Sequence, residues 1–129
     1  MTVPNDLRYT DEHEWARVEG KLATIGITHH AQEALGDIVF VDLPEVGRPI
    51  KKGEAIGAVE SVKAVSDLFS PVSGKVLAIN TELTNLPDAV NKEPYGAGWM
   101  VKLELSAPAE VEQLLTADAY KTLLAKEAK

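Results

Sequence analysis

Short apolar runs separated by glycine, proline and polar residues set the pattern of this chain. Runs from Trp15 to Val18 and from Leu22 to Ile27 flank Glu19 and Gly20, and Ala23, Ile25 and Ile27 alternate onto one face. Period-two alternation on both sides of a turn predicts a β-hairpin. At Thr28 the pattern breaks. The HHAQEAL that follows reads as a short helix, with Thr28 its N-cap and Gly36 its stop. Further strands are expected at about Ile38 to Leu43, Ala55 to Glu60, Val65 to Phe69, Val76 to Asn80 and Met100 to Leu105, where Val101, Leu103 and Leu105 share a face.

Strands this short, punctuated by Gly and Pro turns, imply an all-β sandwich or barrel. The last segment differs in kind. Ser106 and Pro108 form an N-cap and early-helix pair, and Val111, Leu114 and Leu115 fall at helical spacing. A second turn or helix is expected from about Thr116, with Tyr120, Leu123 and Leu124 facing inward. The result is a helical tail over about residues 107–126 on a β body. All of residues 1–129 are expected to form one domain, because a chain of this length buries roughly two-thirds of its unfolded surface.

There is also an internal echo. GDIVFV (Gly36 to Val41) precedes GEAIGAV (Gly53 to Val59), much as GKVLAI (Gly74 to Ile79) precedes GWMVKL (Gly98 to Leu103). Two readings stand: coincidence in a glycine-punctuated β protein, or two related halves.

Lys63 falls between those halves, in GAVESVKAVSDLFSPVSG. Too few residues separate the run of Ala55, Ile56, Ala58 and Val59 from that of Val65, Leu68, Phe69 and Val72 to form anything but a turn, so a hairpin tip is expected at about residues 60–66. A side chain there projects from the body, and its amine can be approached from almost every direction. A lysine at a turn is ordinarily a solvated charge. Spacing alone does not separate Lys63 from that reading.

The formal net charge is -7, and the sequence pI is about 4.9. Neutralising phosphates takes clustered Lys and Arg, so nucleic acid is an unsuitable partner, and an anionic membrane surface is disfavoured for the same reason. The N-terminal MTVPNDLRYTDEHEW has neither an apolar signal core nor an Arg-rich transit pattern, and no run approaches the length of a bilayer span. A cytoplasmic protein is expected. Cysteine is absent, which excludes disulfide staples and thiolate metal sites.

Other chemistries find little support. His13 and Glu14 do not make HExxH, and the adjacent His29 and His30 lack an i, i+4 relation, so the histidines read as surface or local-capping residues and no metal is expected. Serine-hydrolase, P-loop and triad signatures are missing. LPEVG (Leu43 to Gly47) reads as a turn. YGAGW (Tyr95 to Trp99) reads as packing plus turn, a contact beside the lysine hairpin being the other reading.

VESVKAVSD around Lys63 resembles the attachment hairpin of the glycine cleavage system H proteins, a family of lipoyl carriers. The resemblance extends through HEW (His13 to Trp15), ATIGIT (Ala23 to Thr28), GDIVFVDLPEVG (Gly36 to Gly47), SPVSGKV (Ser70 to Val76) and EPYGAGWM (Glu93 to Met100). It runs from about Tyr9 to the final helix. Several separate motifs in one order are far more specific than a single lysine.

The resemblance implies a mainly β fold, a lipoyl/biotinyl-type barrel-sandwich hybrid of two small antiparallel sheets with short helices and a C-terminal helical appendage. It implies (R)-lipoate in amide linkage to Lys63, and a carrier that is not itself an enzyme. The family role is to shuttle the aminomethyl group of glycine from a pyridoxal-phosphate glycine decarboxylase (P protein) to a tetrahydrofolate-dependent aminomethyltransferase (T protein). Dihydrolipoyl dehydrogenase (L protein) then reoxidises the dithiol. A lipoate-attaching enzyme is a fourth partner, and the carrier itself is expected to be a monomer. The loaded arm is expected to fold back onto the body, where Glu14 and Asp67, with Glu12 as a third candidate, would meet the cationic amine. An absence of cysteine suits such a carrier, since a nearby thiol could exchange with the cofactor's disulfide.

The rival readings are a lipoyl or biotinyl domain of a 2-oxoacid dehydrogenase or carboxylase, and a plain β-sandwich interaction protein with Lys63 unmodified. Val62 and Ala64 flank the lysine where biotin domains typically carry methionines, and dehydrogenase lipoyl domains lack the HEW and PYGAGW segments and the tail. A lipoyl relay to other lipoyl domains also stays open.

Overall fold

The computed structural model describes residues 3–127. Its strands are β1 (Arg8–Tyr9), β2 (Glu14–Glu19), β3 (Leu22–Ile27), β4 (Ile38–Asp42), β5 (Pro49–Ile50), β6 (Ala55–Ser61), β7 (Val65–Phe69), β8 (Gly74–Ile79) and β9 (Val101–Leu105). They assemble into a six-stranded sheet, in the order β1-β2-β3-β9-β8-β5, and a three-stranded sheet, β4-β6-β7. Every ladder in both sheets is antiparallel. The connections hold α1 (His29–Leu35), α2 (Ala89–Lys92), α3 (Ala117–Glu127) and 3₁₀ segments at Thr81–Thr84 and Pro108–Gln113. No helix among the described residues is long and apolar enough to cross a membrane.

The strand patterns do what their periods require. Val101, Leu103 and Leu105 are buried from β9 while Glu104 between them is exposed, and Ala23, Ile25 and Ile27 are buried from β3. These side chains meet Ile56, Val59 and Leu68 of the smaller sheet in one core. Ile56 and Val59 lie an odd number of residues apart, which a regular strand would send to opposite faces. A register shift between Ala55 and Gly57 restores the phase. At Gly57 a Cβ atom would collide with the carbonyl oxygen of Asp42, so glycine is what lets β6 lie against that backbone.

The internal echo corresponds to structure. β4 pairs with β6 in one sheet and β8 with β9 in the other, so each echoed pair is an antiparallel ladder of its own. Thr28 accepts the Ala31 N–H at 3.2 Å as the N-cap of α1, and Gly36 ends that helix at φ 82°.

The tail departs from expectation. A 3₁₀ segment, capped at Ala107 without a side-chain bond, replaces a helix capped by Ser106. Leu115 is extended, because its N–H and C=O exchange bonds of 2.8 and 2.9 Å with Tyr9. Only then does α3 begin. A second apolar cluster of Leu7, Tyr9, Trp15, Ala117 and Tyr120, with Leu123 and Leu124 packed on it, docks that helix. Tyr9 and Tyr120 stack with ring centroids 4.6 Å apart.

Candidate functional site

The turn joining β6 to β7 has Val62 and Lys63 as its two loop residues, with Ser61 and Ala64 paired across its base. Ser61 N–H donates to the Ala64 carbonyl at 2.8 Å, and the Ser61 hydroxyl accepts the N–H groups of Ala64 at 3.0 Å and Lys63 at 3.3 Å. One serine therefore satisfies the backbone of the tip and fixes where Lys63 leaves it. Val62 N–H donates to the Asp37 carbonyl at 3.1 Å, tying the turn to the residue that follows the Gly36 cap of α1. The lysine side chain runs beside Gly36, where a Cβ would lie 3.5 Å from Lys63 Cε. Asn91 of α2 braces this corner, donating to Gly36 O at 2.8 Å and accepting Ile38 N–H at 2.9 Å.

Lys63 is exposed, and so are Val62 and Val65 on either side of it, at 71% and 65%. Two large apolar side chains left in solvent around one amine make the tip a surface for contact as much as a point of attachment.

Side chains alternate along β7, so Val65, Asp67 and Phe69 line one face while Leu68 is buried on the other. This face leads from the tip toward a cleft of about 300 Å³, lined in part by Phe69, Thr10, Glu12, Glu14, Leu114 and Leu115. At roughly 3.4 Å per residue, the four steps from Val65 to Phe69 span about 14 Å. That is the scale of a lysine extended by an eight-carbon acid.

Glu14 is 2% exposed. Its Oε1 accepts the Thr10 hydroxyl at 2.6 Å, and its Oε2 accepts Phe69 N–H at 3.3 Å. Burial pushes its carboxyl up to about 7, against the lowering effect of those two bonds, and Glu12 and Asp11 add to the rise. Asp67 stands elsewhere, exposed on β7 opposite Ala58, on the face between tip and cleft and outside the cleft lining. Glu12 does line the cleft. Of the three acids named from the sequence, the fold brings two together at the cleft and leaves Asp67 on the approach.

Thr10, Ser61 and Asn91 have no place in the sequence reading. Thr10 lies four residues before Glu14 and also accepts the N–H groups of Glu12 and Glu14, which folds residues 10–14 around the carboxyl. His13, inside that loop, has φ 69°, an uncommon conformation for a residue with a side chain. It joins His30 and Glu127 in a cluster that no local spacing announces. Burial, followed by the nearby His13, holds His30 below its ordinary value. Burial also pushes the Tyr120 hydroxyl far up, so it stays protonated beside His13. YGAGW is packing and turn: Tyr95 OH accepts His29 N–H at 2.9 Å, and Asn80 donates to Ala97 O and Trp99 O, each at 2.8 Å.

Comparison with known proteins agrees with this geometry. The family model for the glycine cleavage H-protein matches residues 7–127. The chain is 59% identical over 120 residues to a glycine cleavage system H protein of Bacillus cytotoxicus, covering 93% of this chain and 94% of that one. A relative from Bacillus mycoides matches to the same extent. In three dimensions it resembles the crystal structure of a glycine cleavage system H protein from Mycobacterium marinum, with a TM-score of 0.88 and 43% identity, over 95% of this chain and 99% of that one. The two antiparallel sheets with their C-terminal helix are thus the barrel-sandwich architecture of that protein. The chain belongs to the glycine cleavage H-protein family and is a carrier component of the glycine cleavage system, with no catalysis of its own.

Proposed function

We propose that Lys63 carries (R)-lipoate in amide linkage and that the cleft floored by Glu14 receives the loaded arm. The observation that carries this reading is the two-residue turn presenting an exposed amine, with one strand face leading from it to a cleft. Amide formation removes the lysine's charge and adds a long, mostly apolar arm. When attached, the dithiolane supplies the reversible thiol chemistry that holds the aminomethyl cargo. The protein supplies position. Ser61 sets the direction of the lysine, Val65 and Phe69 offer apolar surface along the way, and Glu14 accepts N–H bonds from the ammonium of the cargo. A charge in a partly dry cleft needs such a partner, because burying it unpaired is expensive.

The partners are the P, T and L proteins, which must each reach one tip, together with a lipoate-attaching enzyme that reads the hairpin. A monomer working in the cytoplasm fits these roles. Intact mass and peptide mapping of protein purified from its own cells test the assignment. One lipoyl group on Lys63 is the expected result, and Lys63→Arg should keep the fold while losing all carrier activity, because arginine retains charge but cannot form this amide. Lipoate found on Lys51 or Lys75 would overturn it.

A further inference from the structure

The geometry points to a divalent transition-metal site, zinc-like in its ligand preference, formed by His13, His30 and Glu127 at the junction of the β body and α3. One donor atom from each of the three residues lies within 4.8 Å of the others. His13 Nε2 is 3.0 Å and His30 Nε2 3.9 Å from Glu127 Oε1, and the two imidazole rings face each other at 4.4 Å between centroids. Two imidazoles and a carboxylate are a donor set that zinc and its neighbours favour, with the fourth position left to water. Donors around tetrahedral zinc at about 2.0–2.1 Å stand roughly 3.3 Å apart, so rotation of partly exposed side chains closes the set.

The surroundings fit ligation as well as the distances do. His13 Nδ1 lies 2.8 Å from Tyr120 OH, which lies 2.7 Å from Thr28 Oγ1. This chain can run in either direction. With Tyr120 donating to Nδ1, the proton sits on His13 Nε2 and is given to Glu127. With Nδ1–H donating to Tyr120 and Tyr120 donating to Thr28, the Nε2 lone pair is free for a metal. The second arrangement is the outer-shell bonding that ligating histidines use to fix their tautomer. The two arrangements differ in which ring nitrogen carries the hydrogen.

The three ligands come from the loop before β2, from α1 and from the last turn of α3. A bound ion would therefore pin the tail helix to the loop that leads into Glu14 at the start of β2. The experiment titrates tag-free, chelator-treated full-length protein with zinc chloride, followed by calorimetry and by histidine ring NMR. One equivalent should bind and be removed again by chelator, shifting the rings of His13 and His30 while His29 stays put. His30→Ala should abolish binding, and Tyr120→Phe should weaken it about 10- to 100-fold. His29→Ala should leave it intact. No stoichiometric binding by the wild-type protein, undiminished binding in a folded His30→Ala variant, or ring shifts confined to His29 would each overturn the assignment.

Discussion

Glu14 and Phe69 join the two sheets: a carboxylate oxygen at the start of β2 accepts the backbone N–H that ends β7, at 3.3 Å. The bond crosses from the larger sheet to the smaller beside the cleft, so one acid both closes the structure and faces the space proposed for the arm.

This position sets a pH dependence. Burial raises the Glu14 carboxyl from 4.5 to about 7 in the folded protein, so between those values the folded state binds a proton that the unfolded state has lost. Its contribution is therefore fully present below about pH 4.5 and is lost as pH rises through 7. The difference amounts to about 3 kcal/mol at most. Thermal unfolding followed from pH 5 to pH 8 should show stability falling across this window through Glu14, and Glu14→Gln should flatten that part of the profile. An identical slope in the two proteins would remove Glu14 as its source.

The direction of the lysine is testable apart from its exposure. Val62 and Lys63 are both exposed, but the Ser61 hydroxyl orders the turn so that they leave it differently. Exchanging them, Val62→Lys with Lys63→Val, keeps composition and moves the amine by one residue, which turns it to another side of the hairpin. Lipoylation of this variant by the attaching enzyme should be slow, as followed by mass spectrometry. Full modification at the normal rate would show that exposure alone suffices.

Gly57 carries a packing prediction. A methyl group at that position meets the Asp42 carbonyl oxygen at the bulge that sets the phase of β6. Gly57→Ala should therefore destabilise by about 1–3 kcal/mol, the usual cost of overpacking, because backbone cannot step aside as a side chain can. Urea denaturation measures this, and a midpoint matching the wild type would mean that β4 moves freely.

What the sequence made legible follows from how local each cause is. β3 and β9 stand where alternation placed them because Ala23, Ile25, Val101 and Leu103 all point into one core. Thr28 and Gly36 act within a few residues of themselves, and their roles were readable. β1 and β5, two residues each, are too short to carry a period and are defined by their ladders with β2 and β8; Tyr9 of β1 also pairs with the distant Leu115. The same pairing unwinds the helix expected around Leu114 and Leu115, since tertiary hydrogen bonding overrides helical spacing. At the site, the hairpin tip was legible from two apolar runs, whereas the chemistry of Lys63 came only from resemblance. Glu14 was named, but Thr10, which holds its carboxyl, was not. Nothing local brings His13 to His30 and Glu127, because three separate segments must first be packed together.

The two acids near the arm's path lead to the last prediction. Cargo bearing an ammonium on a carbon next to sulfur is open to hydrolysis, which releases formaldehyde and ammonia, so a sheltering cleft should slow its loss. Glu14 is the stronger candidate, because it is buried at the cleft and its pairing with a cation would offset the desolvation that now holds its carboxyl near 7. Asp67 is exposed on the approach, so solvent weakens whatever it offers. Loaded protein without its partners should therefore lose the aminomethyl group faster in Glu14→Ala, and only slightly faster in Asp67→Ala, with lipoylation of Lys63 unchanged in both. Release of formaldehyde is the readout. An unaltered rate in the Glu14→Ala, Asp67→Ala double variant would sink the idea that either carboxylate protects the cargo.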